Sequence, residues 1–369
     1  MEGFGLLDAA VGWVVGLATA FGGLLVYRRT AKRDAFQDHC SSYKERIVMR
    51  EKEYEQARKG PDKEERRRRL SDLRGEYDRF LEAWQQKQEL ASLIRPTLII
   101  ADAPKPAKPE QDRIRMLADG SARLPPELLS AEDYSVRGNA YYEAGDYEQA
   151  LEAFSRALDI LPNDAVLVYN CATTLVKLKR YGEALKGFDH ALQLKPGDLE
   201  ALNNRAATLG KMERYEDAVK EYNRTLELSP DLPESLTGRG AMLYKLGTIS
   251  EALKDHDRAL ELRPDYPEAL VNRSSAYVEL GRHQEAVEDC NRALLLRPAY
   301  SLALYNRACA YSGLVQFPEA LQDLQAAIQG DKENQRLART DQDFEKLRND
   351  PEYGPRFWEI VGKENDSES

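Results

Sequence analysis

The chain has 369 residues, 31% of them charged, with a formal net charge of −10 and a mean hydropathy of −0.63. That balance excludes a nucleic-acid binder, which needs a basic footprint. The four cysteines, Cys40, Cys171, Cys290 and Cys309, contain no C-x-x-C, and the four histidines, His39, His190, His256 and His283, have no metal-ligand spacing. No glycine-rich phosphate loop and no nucleophile elbow occurs, so neither an enzyme nor a cofactor site is expected.

Residues 4–27 read FGLLDAAVGWVVGLATAFGGLLVY, with 19 uncharged residues from Ala9 to Tyr27. As a helix this nearly matches a hydrocarbon core of ~30 Å. Arg28, Arg29, Lys32 and Arg33 follow at once and resist translocation. The expectation is a transmembrane anchor over residues 1–30, making a single-pass membrane protein with its N-terminus outside and the rest cytoplasmic. A cleaved signal peptide is the rival, but Met1-Glu2-Gly3 lacks a basic start. Gly12, Gly16 and Ala20 make a small-xxx-small face on which two copies of the helix can pack.

From Arg28 to Gly75 there are 16 Lys and Arg against 10 Asp and Glu, a local charge of +6 that leaves −16 elsewhere. Within residues 31–95, Phe36, Cys40, Tyr43, Ile47, Arg50, Tyr54 and Ala57 form one heptad-like seam. Leu70, Leu73, Tyr77, Phe80, Trp84, Lys87, Ala91 and Ile94 form another, after a break at Gly60-Pro61. Two such stripes predict an antiparallel helical hairpin or an intermolecular coiled coil, so a homo-oligomer through the hairpin or the anchor stays open. Arg66–Arg69 reads as a solvated face beside Asp62, Glu64 and Glu65. Residues 96–130 carry Pro96, Pro104, Pro106, Pro109, Pro125 and Pro126 and read as a linker without a continuous helix. Inside it, Thr97–Ala101 (TLIIA) suits either a short strand or an apolar clip.

From Ala131 the sequence repeats every 34 residues, giving units 131–164, 165–198, 199–232, 233–266, 267–300 and 301–334. The eighth position is always small: Gly138, Ala172, Ala206, Gly240, Ser274, Ala308. The twentieth is always alanine, from Ala150 to Ala320. Pro162, Pro196, Pro230, Pro264 and Pro298 close five of the six units. In these residues the stretch 131–334 resembles the tetratricopeptide-repeat family. The resemblance implies an all-α fold: a solenoid superhelix of six helix pairs, preceded here by the anchor and the hairpin. Ser130 with Asp133 reads as the N-terminal capping signal. Residues 335–362, including DQDFEKLRNDPEY, resemble the terminal segment of such arrays, with Phe344, Leu347, Trp358 and Ile360 available to cover the last unit; residues 363–369 read as a disordered tail.

The resemblance also implies a concave groove lined by the first helix of each unit. Carried over residue by residue, it points to Asn139, Asn170, Asn203, Asn204, Asn272 and Asn306, whose amides suit a peptide backbone. It adds Lys177, Lys211 and Lys245 as a basic row, Tyr142 and Tyr244 as flat apolar contacts, and Glu132, Glu200, Glu234 and Glu268 as an acidic rail. The expected ligand is a protein or peptide segment carrying acidic residues. Glu200 opposes the subtype that grips a chaperone's C-terminal carboxylate. Arg137, Arg205, Arg239, Arg273 and Arg307 recur at the seventh position. Glu221, Asp255, Asp289 and Asp323 stand 16 residues after the last four of these, so intra-repeat ion pairs are expected. His256, Cys290 and Cys309 read as packing. The function implied is a membrane-tethered scaffold. The alternatives are a chaperone-like assembly or import receptor with many clients, and a structural homo-oligomer.

Overall fold

A computed structural model describes residues 34–53, 63–94, 99 and 106–362. The anchor, Tyr54, Ala57, the Gly60-Pro61 break and the tail lie outside the described residues. Among the described residues every regular element is helical, and no helix is long and apolar enough to cross a membrane. The chain divides into two compact units, Met1–Leu178 and Lys179–Ser369.

In the first unit, α1 (residues 34–53) and α2 (Lys63–Leu93) lie antiparallel within one chain. Phe36 stacks on Trp84 with ring centroids 4.1 Å apart, Tyr43 meets Tyr77 at 5.4 Å, and Arg74 pairs with Glu51 further along. Such aromatic pairs add about 0.5–1.5 kcal/mol each beyond their area burial. Lys87, the charged interruption in the second seam, sits over the Trp84 ring at 4.5 Å and pairs with Asp133 at 3.2 Å. It therefore ties the hairpin to the array's first helix. Ala91, assigned to the seam, is exposed; Ala83 and Leu90 are the buried residues instead.

The linker expectation needs correction. Residues 108–121 form the helix α3 (Lys108–Ser121), because the prolines cluster at its edges and none falls between Glu110 and Leu124. Pro109 sits in its first turn, where the missing N–H costs nothing. Ile114, Leu117 and Ala118 are buried against the hairpin and the next helix.

The array follows as helix pairs. The first unit holds α4 (Ala131–Ala144), α5 (Tyr147–Ile160) and α6 (Ala165–Lys177). The second holds α7 (Tyr181–Leu194), α8 (Leu199–Lys211), α9 (Tyr215–Leu228), α10 (Pro233–Lys245), α11 (Ile249–Leu262), α12 (Pro267–Glu279), α13 (His283–Leu296), α14 (Ser301–Gly313) and α15 (Phe317–Gly330). Ser130 and Asp133 make a reciprocal capping box at the start of α4. The small eighth position is steric: a Cβ at Gly138 would lie 2.4 Å from the Phe154 ring, and one at Gly240 would lie 2.6 Å from the His256 ring. At the end come α16 (Glu333–Thr340), α17 (Glu345–Arg348) and α18 (Gly354–Val361). Phe344 and Leu347 are buried as expected. Trp358 and Ile360 are only partly buried, and Phe357 and Val361 fill the core in their place.

The turn inside every pair uses one left-handed residue at the fifteenth position: Gly145, Lys179, Glu213, Gly247, Gly281 and Val315. Val315, at φ 62°, is the costly member, because a β-branched side chain crowds its own carbonyl in that region. Its side chain is exposed, so relief of strain outweighs lost packing. The Val315→Gly variant is expected to be about 0.5–1 kcal/mol more stable in urea unfolding, after subtracting the extra backbone entropy that glycine loses. A destabilised variant would show the turn to be unstrained.

His256 is fully buried, and neither ring nitrogen has a partner among the described residues. Burial, with help from the Arg273 charge, pushes its pKa down to about 4. Unfolded, the ring titrates at about 6.5. Its folded pKa is therefore depressed, and the stability it contributes is complete above pH 6.5 and lost as pH falls towards 4. The loss approaches roughly 3 kcal/mol across that window. His256→Leu should flatten the stability–pH curve there; an unchanged slope would mean the ring titrates freely.

Candidate partner-binding face

The recurrent arginines are placed by their helix pairs. Arg239 holds both carboxylate oxygens of Asp255, with Nε at 2.7 Å and the second arm at 2.6 Å. Arg273 grips Asp289 at 2.7 Å through both nitrogens, and Arg307 grips Asp323 at 2.6 and 2.8 Å. The three carboxylates are nearly buried, so these forks are far stronger than surface pairs.

Sequence reasoning missed the third arm. Arg239 also donates to Asn223 at 2.7 Å, Arg273 to Asp257 at 2.7 Å and Arg307 to Asn291 at 2.6 Å. Arg205 spans Asp189 at 2.8 Å and Glu221 at 2.9 Å. Asp189, Asn223, Asp257 and Asn291 recur every 34 residues, each 16 before its arginine, and that spacing was the available signal. Each arginine thus joins the second helix of its own pair to that of the preceding pair. Among the described residues Arg137 has no carboxylate partner. It donates to the Ser121 carbonyl at 3.1 Å, again 16 residues back, and burial lowers its pKa. A cation there complements the negative C-terminal end of the α3 dipole.

Two of the four glutamates of the acidic rail are also engaged. Glu234 pairs with Arg263 at 2.5 Å and Glu268 with Arg297 at 2.8 Å. Glu200 has Ser229 where the matching arginine would stand. Burial first, then Glu234, raises its pKa.

The predicted groove residues divide into two groups. Asn139, Asn170, Asn306 and Tyr142 do not stand open as the sequence reading had them. Asn170 is fully buried; it donates to Asn139 at 3.4 Å and accepts the Ile99 N–H at 2.9 Å. Asn306 is nearly buried and donates to the Val271 carbonyl and the Ser274 and Ser275 hydroxyls at 2.7–3.1 Å. Tyr142 packs edge-on against Tyr147 at 5.3 Å, in the core of the first unit. These inward positions meet neighbouring helices before they meet a ligand.

Asn203, Asn204, Asn272 and Tyr244 are half-buried, and Lys211 and Lys245 are exposed. Asn203 accepts from Ser235 at 2.9 Å, and Lys245 stands 6.0 Å from the Tyr244 ring. Among the described residues neither Lys211 nor Lys245 has a carboxylate partner, whereas Lys177 is half-buried and has an interaction of its own. The basic row therefore reduces to Lys211 and Lys245 on α8 and α10.

The end of this face was not foreseen. Cys309, Asp341 and Asp343 place their Sγ and carboxylate oxygens within 4.8 Å of one another. Tyr305 donates to Asp341 at 2.7 Å. Burial and the Asp341 charge push Asp343 up to about 6. Tyr244 feels this cluster: burial raises its pKa, with Glu279, Asp343 and Asp341 adding to the shift.

Comparison with known proteins agrees with this architecture. Residues 131–164 match the family model of the tetratricopeptide repeat, residues 267–300 a second model of that repeat, and residues 211–247 and 240–281 a model described as TPR repeat. The chain is 39% identical over 67 residues to DnaJ homolog subfamily C member 7 of Mus musculus, covering 16% of this chain and 14% of that protein. It is 30% identical over 56 residues to the Hsp70-Hsp90 organising protein of Plasmodium falciparum (isolate 3D7), covering 15% and 10%. The chain thus spans only about a tenth to a seventh of these relatives' lengths. In three dimensions it matches the APC/C hetero-tetramer Cut9–Hcn1 with a TM-score of 0.55 at 16% identity, over 63% of this chain and 46% of that one. These matches identify tetratricopeptide repeats within residues 131–164 and 211–300 and agree with an all-α repeat fold.

Proposed function

We propose that the chain is a membrane-tethered protein-interaction scaffold whose repeat array binds a segment of a partner protein. The observation that carries this reading is the pair Lys211 and Lys245. They occupy the same register on α8 and α10, are exposed, and lack a carboxylate partner among the described residues. Tyr244 beside Lys245 and the amides of Asn203 and Asn204 add apolar contact and hydrogen-bonding groups. A partner segment with acidic residues complements the two lysines. Glu200 disfavours a bare C-terminal carboxylate nearby. The tether rests on the apolar run Ala9–Tyr27 and the basic flank Arg28–Arg33, which orient the array to the cytoplasm.

Proximity labelling with the full-length protein identifies the partner, and binding titrations then test the face. The double variant Lys211→Glu, Lys245→Glu should bind at least about tenfold more weakly, or about 1.4 kcal/mol, with unchanged helical content by circular dichroism. Unchanged affinity would move the partner site to the hairpin or the outer helices.

A further inference from the structure

The first unit already holds something in its amide site. Ile99 comes from the segment between the hairpin and α3, which the sequence left open between strand and apolar clip. It is 6% exposed, belongs to the hydrophobic core of the first unit, and its N–H donates to Asn170 Oδ1. Asn170 Nδ2 in turn donates to Asn139 Oδ1, linking α6 to α4. A carboxamide that accepts a main-chain N–H while an aliphatic side chain fills the adjoining core is the way a repeat groove would hold an extended peptide. One turn further along α6, Thr173 is 1% exposed, and its hydroxyl has no partner among the described residues. Leaving a buried hydroxyl unsatisfied is costly, and a ligand carbonyl would relieve it.

We propose that Asn139, Asn170 and Thr173 form a receptor for an extended, aliphatic peptide segment, and that Ile99 is its intramolecular occupant. The occupant shows the chemistry of the ligand: a branched aliphatic residue presenting a free backbone N–H, in a segment without charge at that position. A tethered occupant acts at an effective concentration on the order of mM, so an external segment must displace it. The site is then closed to weak ligands and opens to those that outcompete Ile99. The inference deepens the scaffold reading above and rests on it. Its test uses the chain's own segment rather than the natural partner, so either reading can fail without the other.

The probe is a fluorescein-labelled peptide of residues 94–104, IRPTLIIADAP, titrated against the full-length protein in mild detergent by fluorescence anisotropy. Ile99→Asp buries a carboxylate in the apolar core that the Ile99 side chain occupies and should expel the occupant. The variant is expected to bind the peptide at least tenfold more tightly than the parent chain. Adding Asn170→Ala to it should remove that gain. Equal binding by both chains, no binding by either, or a gain that survives Asn170→Ala would overturn the proposal. Should Ile99→Asp fail to fold, hydrogen exchange on the unaltered protein decides. Saturating unlabelled peptide should speed exchange at the Ile99 amide at least tenfold, and an unchanged rate contradicts displacement.

Discussion

The second unit depends on one interaction, the three-armed arginine at the seventh position of its last three helix pairs, Arg239, Arg273 and Arg307. Two arms clamp a nearly buried carboxylate of the same pair, and the third reaches an Asp or Asn of the pair before it. A stack of helix pairs has no long-range contacts to define it, so its order rests on nearest-neighbour terms. Apolar packing is non-directional and tolerates sliding. A planar guanidinium with fixed donors does not, and lysine could not substitute for it. Removing the arginine would leave a buried carboxylate unpaired, at a cost of about 3–5 kcal/mol.

The same constraint decides which side chains remain for a partner. The arginines and two of the rail glutamates are spent within the array. Exposed on α8 and α10 are Lys211 and Lys245, together with Glu200 at the start of α8, and beyond them lies an acidic end at Glu279, Asp341 and Asp343. The surface thus changes sign along its length, and on the proposed scaffold reading that pattern would orient a bound segment.

Much of this was legible in the sequence, because a period of 34 is read from identities rather than from weak propensities. The small eighth position, the invariant alanine, the closing prolines and the arginine–aspartate pairs all appear there. The two seams named Phe36, Tyr43, Tyr77 and Trp84, and the structure supplies their pairing, Phe36 on Trp84 and Tyr43 on Tyr77. Three things escaped. Helix α3 was hidden because the prolines flanking it were read as breaking it. The burial of Asn139, Asn170, Asn306 and Tyr142 depends on which neighbours approach, and no single-residue pattern records that. The meeting of Cys309 with Asp341 and Asp343 joins the last repeat to residues beyond its end at 334, where the repeat pattern no longer assigns positions.

The claim that the forks hold the array rather than bind a ligand is tested most directly by a double-mutant cycle on Arg273 and Asp289, using alanine at each and urea unfolding of the full chain. The account predicts a coupling energy of at least about 1.5 kcal/mol, as for a desolvated, bidentate pair. A coupling below about 0.3 kcal/mol would contradict it and return these arginines to the pool of ligand-binding residues.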